Sequence, residues 1–519
     1  MNILVLTELD NANATFCLRL GFFLDHLKQT GKIRDYRVND LAHPDVYDLV
    51  IIQRYVKLDE KLLALFEKHP KPLIFETDDL LIRLPCYHPD IANLGHARLF
   101  WSLFAKHIDG IMVSTDYLQR FYSSSSQNIE VIRNVLPPNF VNERRQLKSG
   151  EPLHICYHGT PTHIKDFDFL ARTLIQLEKE YSDRISCHFF GFAPHPSIEA
   201  MPGMNVYPFE PDYLKSLTRI KAIGVDIGLA PLLNNDFNRS KSSIKYLEYT
   251  YAGGIGVYSD VLPYRAIQGG FLVKNNRASW ESCLRKLIEN PDLIDQEYQK
   301  ALHFTHEHFR FEQECDRFYS FINTVYQKAA KKNIHFHLDR YLRTTSNELD
   351  PFARLQMFNS FADVIKNDNA LLEQAGRELE TMTFPIDLMT LQKIETQEKL
   401  GFPIPPALLT RLFRRAISKK YRDSWTFELS MYRLASLLKR KNLFPESETL
   451  FNKICVKSKR IDLAAGAWFH RGEMALRSNK KKKAQACFQK CLEKNPLHRR
   501  ARECLRRPET LSRKGFWTS

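Results

Sequence analysis

No run of about 18 or more apolar residues occurs in this chain of 519, so nothing in it reads as a membrane-spanning helix. The ten cysteines are scattered, with neither a Cys-x-x-Cys unit nor the Cys/His spacing of zinc sites. That absence argues against a disulfide scaffold and against a structural metal. Cys487 and Cys491 stand one helical turn apart and read as two small apolar residues on a buried face rather than a redox pair. The opening MNILVLTELD lacks a basic n-region and a small-residue cleavage site. It reads as a first strand, which places the chain in the cytoplasm as an expectation. No Gly-x-Gly-x-x-Gly follows that strand, which counts against a nicotinamide cofactor. With 44% hydrophobic and 26% charged residues, extensive disorder is not expected. The length calls for two or three domains.

What is present begins with charge. The net charge of +15 is concentrated at one end, where residues 411–519 hold 29 lysines and arginines against nine acids. Such a tail suits nucleic acid, a solvated helical surface or an anionic lipid face at the inner side of a membrane. Nucleic acid ranks last, because the tail has no aromatic interleaving and no recognisable binding module.

The first 330 residues alternate short apolar runs with helix-length amphipathic stretches, the pattern of a doubly wound α/β fold. Strands are predicted at Ile3–Leu6, Leu49–Ile52, Leu73–Phe75, Gly110–Ser114 and Val131–Ile132, with a helix through Phe16–Leu27. A linker follows at Val135–Pro152, and a second series runs through Ile155–Tyr157, His188–Phe190, Asn205–Tyr207, Ile227–Ala230 and Gly256–Tyr258. Helices are predicted over Asp166–Tyr181 and from Ser243 to Ala252. Two successive Rossmann-like domains imply a ligand cleft at the carboxyl ends of their strands. The remainder reads as helical, with breaks at Phe384–Pro385 and Gly401–Pro406. Trp468, Gly472, Ala484, Phe488 and Pro496 fit a tetratricopeptide spacing, and Ala435, Ser447 and Phe451 echo it some 37 residues earlier. The predicted organisation is thus 1–140 and 151–330 as two Rossmann-like domains, 331–420 as a helical connection and 421–507 as a repeat-like region.

Chemistry concentrates between Asp226 and Tyr264. Ser242 reads as the N-cap of a helix whose free N–H groups and dipole favour phosphate. Lys241 and Lys245 flank that start, Glu248 could accept from both hydroxyls of a ribose, and Gly253 and Gly254 end the helix. In the first half, Glu76, Asp78 and Asp79 follow a strand and are expected to face the cleft, as is Arg54.

This Asp226–Tyr264 segment resembles the donor-binding core of the GT-B glycosyltransferases of the group-1, or family 4, retaining class. The resemblance covers roughly residues 150–325 well and residues 1–150 more faintly. It implies a nucleotide-sugar donor, no metal or other cofactor, and a glycan, lipid-linked or protein acceptor. Glu248 aligns with the second of two family glutamates and by analogy holds the donor ribose, while the first falls on Ser240. In the stretch Tyr157–Leu170, Gly159 lets the backbone approach the ligand, and Lys165 falls on a family lysine that would neutralise the departing diphosphate. The arginine position is Thr160, and His163 reads as a loop histidine without a partner. The resemblance implies Arg54, Asp78 and Asp79 on the acceptor side, with Asp78 at a family histidine position and the best candidate for a base. Asn134 matches a family asparagine. An Asp78–Asp79 metal site is disfavoured by the duplicated fold. Rival readings are a nucleotide-sugar epimerase, an inverting transferase, or a degenerate transferase serving as a glycan- or protein-binding scaffold through its helical tail.

Overall fold

The computed structural model describes residues 1–126, 128–137, 144–147, 150–193, 198, 201–329, 333–336, 338–343, 349–384, 387–418, 425–458, 460–495 and 498–506. The chain forms two compact units, Met1–Leu84 with His96–Leu338, and Pro85–Gly95 with Asp339–Ser519.

The first unit holds two parallel six-stranded sheets. Strands β1 (Asn2–Leu6), β2 (Asp35–Val38), β3 (Leu49–Gln53), β4 (Leu73–Thr77), β5 (Gly110–Val113) and β6 (Ile129–Val131) run in the order β2-β1-β3-β4-β5-β6. Strands β7 (Leu153–His158), β8 (Ile185–Gly191), β9 (Met204–Pro208), β10 (Ile227–Ala230), β11 (Ile255–Ser259) and β12 (Phe271–Val273) run β12-β11-β10-β7-β8-β9. The fold class is therefore the duplicated Rossmann-like arrangement followed by an all-helical region. Central strands such as Leu49–Gln53 are buried throughout, as a sheet covered on both faces requires. All ten predicted strands are present, and the two that escaped prediction, β2 and β12, each lie at one edge of a sheet. Both carry partly exposed residues, so neither shows the continuous apolar run of a central strand.

Helix α1 (Phe22–Gln29) follows a π turn at Cys17–Gly21; α2 is Ala171–Glu180, shorter than predicted because Pro161–Phe167 forms a 3-10 helix. Further along lie α3 (Tyr213–Ile223), α4 (Ile244–Tyr251), α5 (Asp292–His308) and α6 (Phe311–Lys328). Helix α6 returns to the first sheet, where Phe311, Phe318 and Ile322 enter one core with Ile3, Val5 and Leu49. Phe23 and Phe318 stack there at 5.2 Å. At about 1.5–3 kcal/mol per fully buried large apolar side chain, this return is a principal tie between the two halves of the unit.

In the second unit, α7 (Trp425–Arg440), α8 (Phe444–Lys457), α9 (Ile461–Arg477), α10 (Lys481–Lys494) and α11 (Arg499–Arg506) form successive hairpins. Asn442 and Asn479, at φ 62° and 56°, occupy the same left-handed turn position in the first and second hairpin. Ser447 donates to the Ala435 carbonyl at 2.8 Å, which seats α8 closely on α7. A Cβ on Gly472 would lie 2.4 Å from the Phe488 ring, so the crossing of α9 and α10 requires glycine. Pro496 lies outside the described residues. Lys481–Lys483 form the exposed first turn of α10, and Cys487 and Cys491 lie in its buried face with Ala484 and Phe488. Among the described residues, no helix is long and apolar enough to cross a membrane.

Candidate functional site

Strand order reverses between β1 and β3 in the first sheet and between β7 and β10 in the second. Ligands of such sheets bind beyond the carboxyl ends at these points. The residues found there are Thr7, Arg54, Gly159 and Leu232.

Arg54 sits at φ 64°, a left-handed conformation uncommon for a long side chain and frequent at functional sites. Its N–H donates to the Glu76 carbonyl at 2.6 Å, which fixes that turn. The guanidinium grips Asp78 through two bonds of 2.8 and 3.1 Å and reaches Thr15 Oγ1 at 3.0 Å and Asp79 at 3.4 Å. Burial pushes the Asp78 carboxyl up, but Arg54 outweighs it and holds the group below its ordinary range. Asp78 is thus an ionised partner of Arg54, a poor proton acceptor at neutral pH. Glu76, expected to face the cleft beside it, is instead fully buried and paired with Arg19 at 2.6 Å. Arg19 comes from the π turn and also donates to Asn134 Oδ1 at 2.9 Å and to the Ile132 carbonyl. The reason is steric: β4 lies inside the sheet, and its last inward side chain has no route to the cleft.

From the second domain, residues 240–242 reach the first. Lys241 Nζ lies 3.1 Å from Asp79 Oδ1. Ser240 is fully buried; its hydroxyl donates to the Phe237 carbonyl at 2.7 Å and accepts from Leu80 N–H at 3.2 Å. The Ser240 carbonyl accepts from Thr115 Oγ1 at 3.0 Å. Asn134 Nδ2 donates to Ser242 Oγ at 2.8 Å. That bond commits the Ser242 hydroxyl, and the N-cap of α4 is Ser243, whose side chain makes no cap bond. The predicted Ser242 cap is corrected accordingly, and the first turn of α4 lacks a side-chain cap.

Lys245 and Glu248 lie one turn apart on α4, with Nζ 3.8 Å from Oε2. The ammonium of Lys245 also donates to the His158 carbonyl. Burial pushes Lys245 down, against the opposing pull of Glu248. Burial would raise Glu248, but Lys245 and His158 prevail and hold it low. Gly253, at φ 88°, closes the helix as read from the sequence. Lys165, by contrast, is half-buried and pairs with Asp168 at 3.1 Å; it makes no described contact with Lys241, Lys245 or Glu248. His163 does have a partner, Asp166 at 2.8 Å, and Asp166 in turn accepts from Leu233 N–H at 2.8 Å. Gly159 ends β7 directly after His158, a residue sequence reasoning missed because a histidine closing an apolar strand has no spacing signature.

A cavity of about 570 Å³ opens beside the start of α4, with Asn134, Lys241, Ser242 and Ser243 on its polar wall and Leu262 and Phe304 on its apolar wall. Glu248 and Lys245 do not line it; they face His158 and α3. Among the described residues, no group of three or more His, Cys, Asp or Glu is arranged to hold a metal ion.

Comparison with known proteins adds the following. The family model for the tetratricopeptide repeat matches residues 465–498, the hairpin of α9 and α10. No curated protein matches the chain in sequence. Among solved structures, TarM of S. aureus is similar at 14% identity and a TM-score of 0.39, over 53% of this chain and 54% of TarM. The chain thus spans about half the length of TarM. WaaG, described as a glycosyltransferase involved in lipopolysaccharide biosynthesis, is similar at 13% identity and a TM-score of 0.44, over 62% of this chain and 99% of WaaG. UDP-GlcNAc 2-epimerase from Neisseria meningitidis, bound to UDP-GlcNAc, is similar at 12% identity and 0.38, over 62% and 100%. At these levels the likeness concerns the fold, and the roles of residues here rest on the geometry above.

Proposed function

We propose that this chain is a glycosyltransferase that takes a sugar from a nucleotide-sugar donor lying across the start of α4. The observation that carries the reading is the first turn of α4, uncapped by any side chain, with Lys241 beside it at the cavity and the Lys245–Glu248 pair further along the same helix. An anionic diphosphate needs positive charge and oriented N–H donors, and a nucleoside needs a carboxylate for its ribose. In this reading the diphosphate rests on Lys241, Lys245 and the α4 N–H groups, the ribose meets Glu248, and the sugar enters the 570 Å³ cavity where the acceptor waits.

Transfer breaks the bond from the sugar's anomeric carbon to the phosphate oxygen and forms one to an acceptor hydroxyl. The acceptor proton passes to the departing phosphate oxygen on the same face, so configuration is retained and no strong side-chain base is needed. Positive charge at the leaving group is then the main catalytic demand, without a metal. Asp78 orients Arg54 at the acceptor side, and Lys165 approaches the diphosphate only after leaving Asp168. The acceptor is a glycan, lipid-linked or protein hydroxyl, with the helical repeats recruiting a protein and the basic tail supporting peripheral membrane contact.

Ser240 favours a second reading, a transferase fold reduced to a binding scaffold, because its hydroxyl is spent holding the two domains together. Thermal-shift screening against UDP-, GDP-, CMP- and dTDP-sugars separates the two. The transferase reading expects one nucleotide class to raise the melting temperature and Glu248→Ala to remove that rise. No rise with any donor would hand the case to the scaffold.

A further inference from the structure

We infer that Ser216, His158 and Glu248 form a hydrogen-bonded relay in which His158 is a positioning residue that aims Glu248 at the donor's nucleoside. The inference rests on the donor reading above and adds two residues to it. Ser216 Oγ lies 2.6 Å from His158 Nε2, and His158 Nδ1 lies 3.4 Å from Glu248 Oε2. The three come from separate elements: Ser216 from the first turns of α3, His158 from the last residue of β7, Glu248 from α4. Ser216 and Glu248 are buried, and the imidazole is mostly enclosed between them.

The chemistry of the ring dictates the direction. A carboxylate only accepts, so Nδ1 must carry the proton that faces Glu248. In the neutral ring Nε2 is then an acceptor, and the Ser216 hydroxyl is the donor that satisfies it. Glu248 therefore selects the tautomer, Ser216 satisfies its far nitrogen and fixes the ring, and the fixed Nδ1–H orients Glu248. Lys245 approaches the same oxygen, Oε2, at 3.8 Å, and the buried Tyr213 hydroxyl acts on the same carboxylate from α3, so three groups restrain Glu248. Tyr213, whose N–H donates to the Ala12 carbonyl at 2.9 Å, supplies the remaining wall from α3. A carboxylate restrained by several groups keeps a fixed orientation, which is what recognition of paired hydroxyls requires.

Asn and Gln in place of His158 separate the relay from a general packing role. The amide of His158→Asn puts an N–H near the Nδ1 position; that of His158→Gln puts it near Nε2. Calorimetric titration with UDP, GDP, CMP and dTDP is the readout. For the nucleotide that binds, His158→Gln should weaken affinity about tenfold and His158→Asn no more than about threefold. In a Glu248→Ala background the Gln substitution should change nothing further, because its effect passes through Glu248. Equal losses for Asn and Gln, or additive losses in the double variant, overturn the relay and leave the donor reading standing. Failure of Glu248→Ala to weaken binding, or absence of binding by all four nucleotides, overturns the donor reading and the relay with it.

Discussion

Ser240 occupies the position where the resemblance expects a sugar-contacting glutamate, and the structure makes restoring that acid a test of what the position does. The side chain is fully buried and its hydroxyl serves two partners, the Phe237 carbonyl at 2.7 Å and Leu80 N–H at 3.2 Å. Ser240→Glu must place three more heavy atoms in a packed site, an overpacking cost of about 1–3 kcal/mol. It also strands the Leu80 N–H, worth about 1–3 kcal/mol more if the new side chain cannot reach it. The new carboxylate competes with Asp79 for Lys241, so its own desolvation is only partly offset. These two terms sum to about 2–6 kcal/mol, which in a unit of this size lowers the melting temperature by about 3–9 °C. Ser240→Ala, which removes the hydroxyl without adding bulk, should cost about 1–2 kcal/mol. Differential scanning calorimetry of the full chain reads both. A Ser240→Glu variant that melts with the wild type and is further stabilised by a nucleotide-sugar would refute the reasoning, since the position would then be open to ligand.

Four further outcomes follow from the structure. Asp78→Asn leaves the Arg54 guanidinium, only 18% exposed, short of its main counter-charge and should cost about 3–5 kcal/mol in urea denaturation. Because Arg54 holds the Asp78 carboxyl below its ordinary range, transfer rates should show no Asp78 titration between pH 5 and 9, and a limb there assigned to Asp78 would restore it as a base. Gly472→Ala brings a Cβ to 2.4 Å from the Phe488 ring, so the α9–α10 hairpin should lose about 1–2 kcal/mol net of the gain in helix propensity, seen as faster amide exchange over residues 461–494. Glu473 gives the repeat region its pH dependence. Burial pushes its carboxyl up, but the His470 hydrogen bond and the Lys439 charge prevail and bring it down to about 2. That stabilisation is complete above the unfolded carboxylate range and is lost as pH falls through about 2, at most about 3 kcal/mol in all. Glu473→Gln should flatten this acid limb in circular-dichroism melts, and an unchanged limb would assign it to other groups.

Central parallel strands were legible because burial on both faces leaves runs such as Leu49–Ile52 and Ile227–Ala230 with almost no polar residue. The edge strand β2 was not, because Asp35–Val38 pairs on one side only and carries Arg37 into solvent. Positions on α4 could be read because helical periodicity fixes Lys245 and Glu248 on one face. Partners from other segments could not. Arg19 lies 57 residues from Glu76 and 115 from Asn134, and no local pattern announces that a π turn will bury a guanidinium between them. The misplacement of Ser242 has the same origin: a serine before a helix is a good cap only if nothing more distant claims its hydroxyl, and Asn134 does.

These distant partners also decide what a ligand must overcome. Five contacts tie the domains around residues 240–242 and α3: Asp79 to Lys241, Leu80 to Ser240, Thr115 to Ser240, Asn134 to Ser242 and Ala12 to Tyr213. Hydrogen bonds between neutral groups are worth about 0.5–1.5 kcal/mol each, so separation of the domains costs several kcal/mol before apolar contacts are counted. Cys17 and Leu18 share a buried cluster with Tyr213 and Leu217, which seals the approach to Glu248 further. The cavity on the other side of α4 has no such closure. A donor entering through the cavity reaches Lys241 and Ser243 first, and meets Glu248 only after the Ala12–Tyr213 contact yields. Binding at Glu248 is therefore coupled to relative motion of the two domains, and variants that loosen the contact should raise nucleotide affinity along with its association rate.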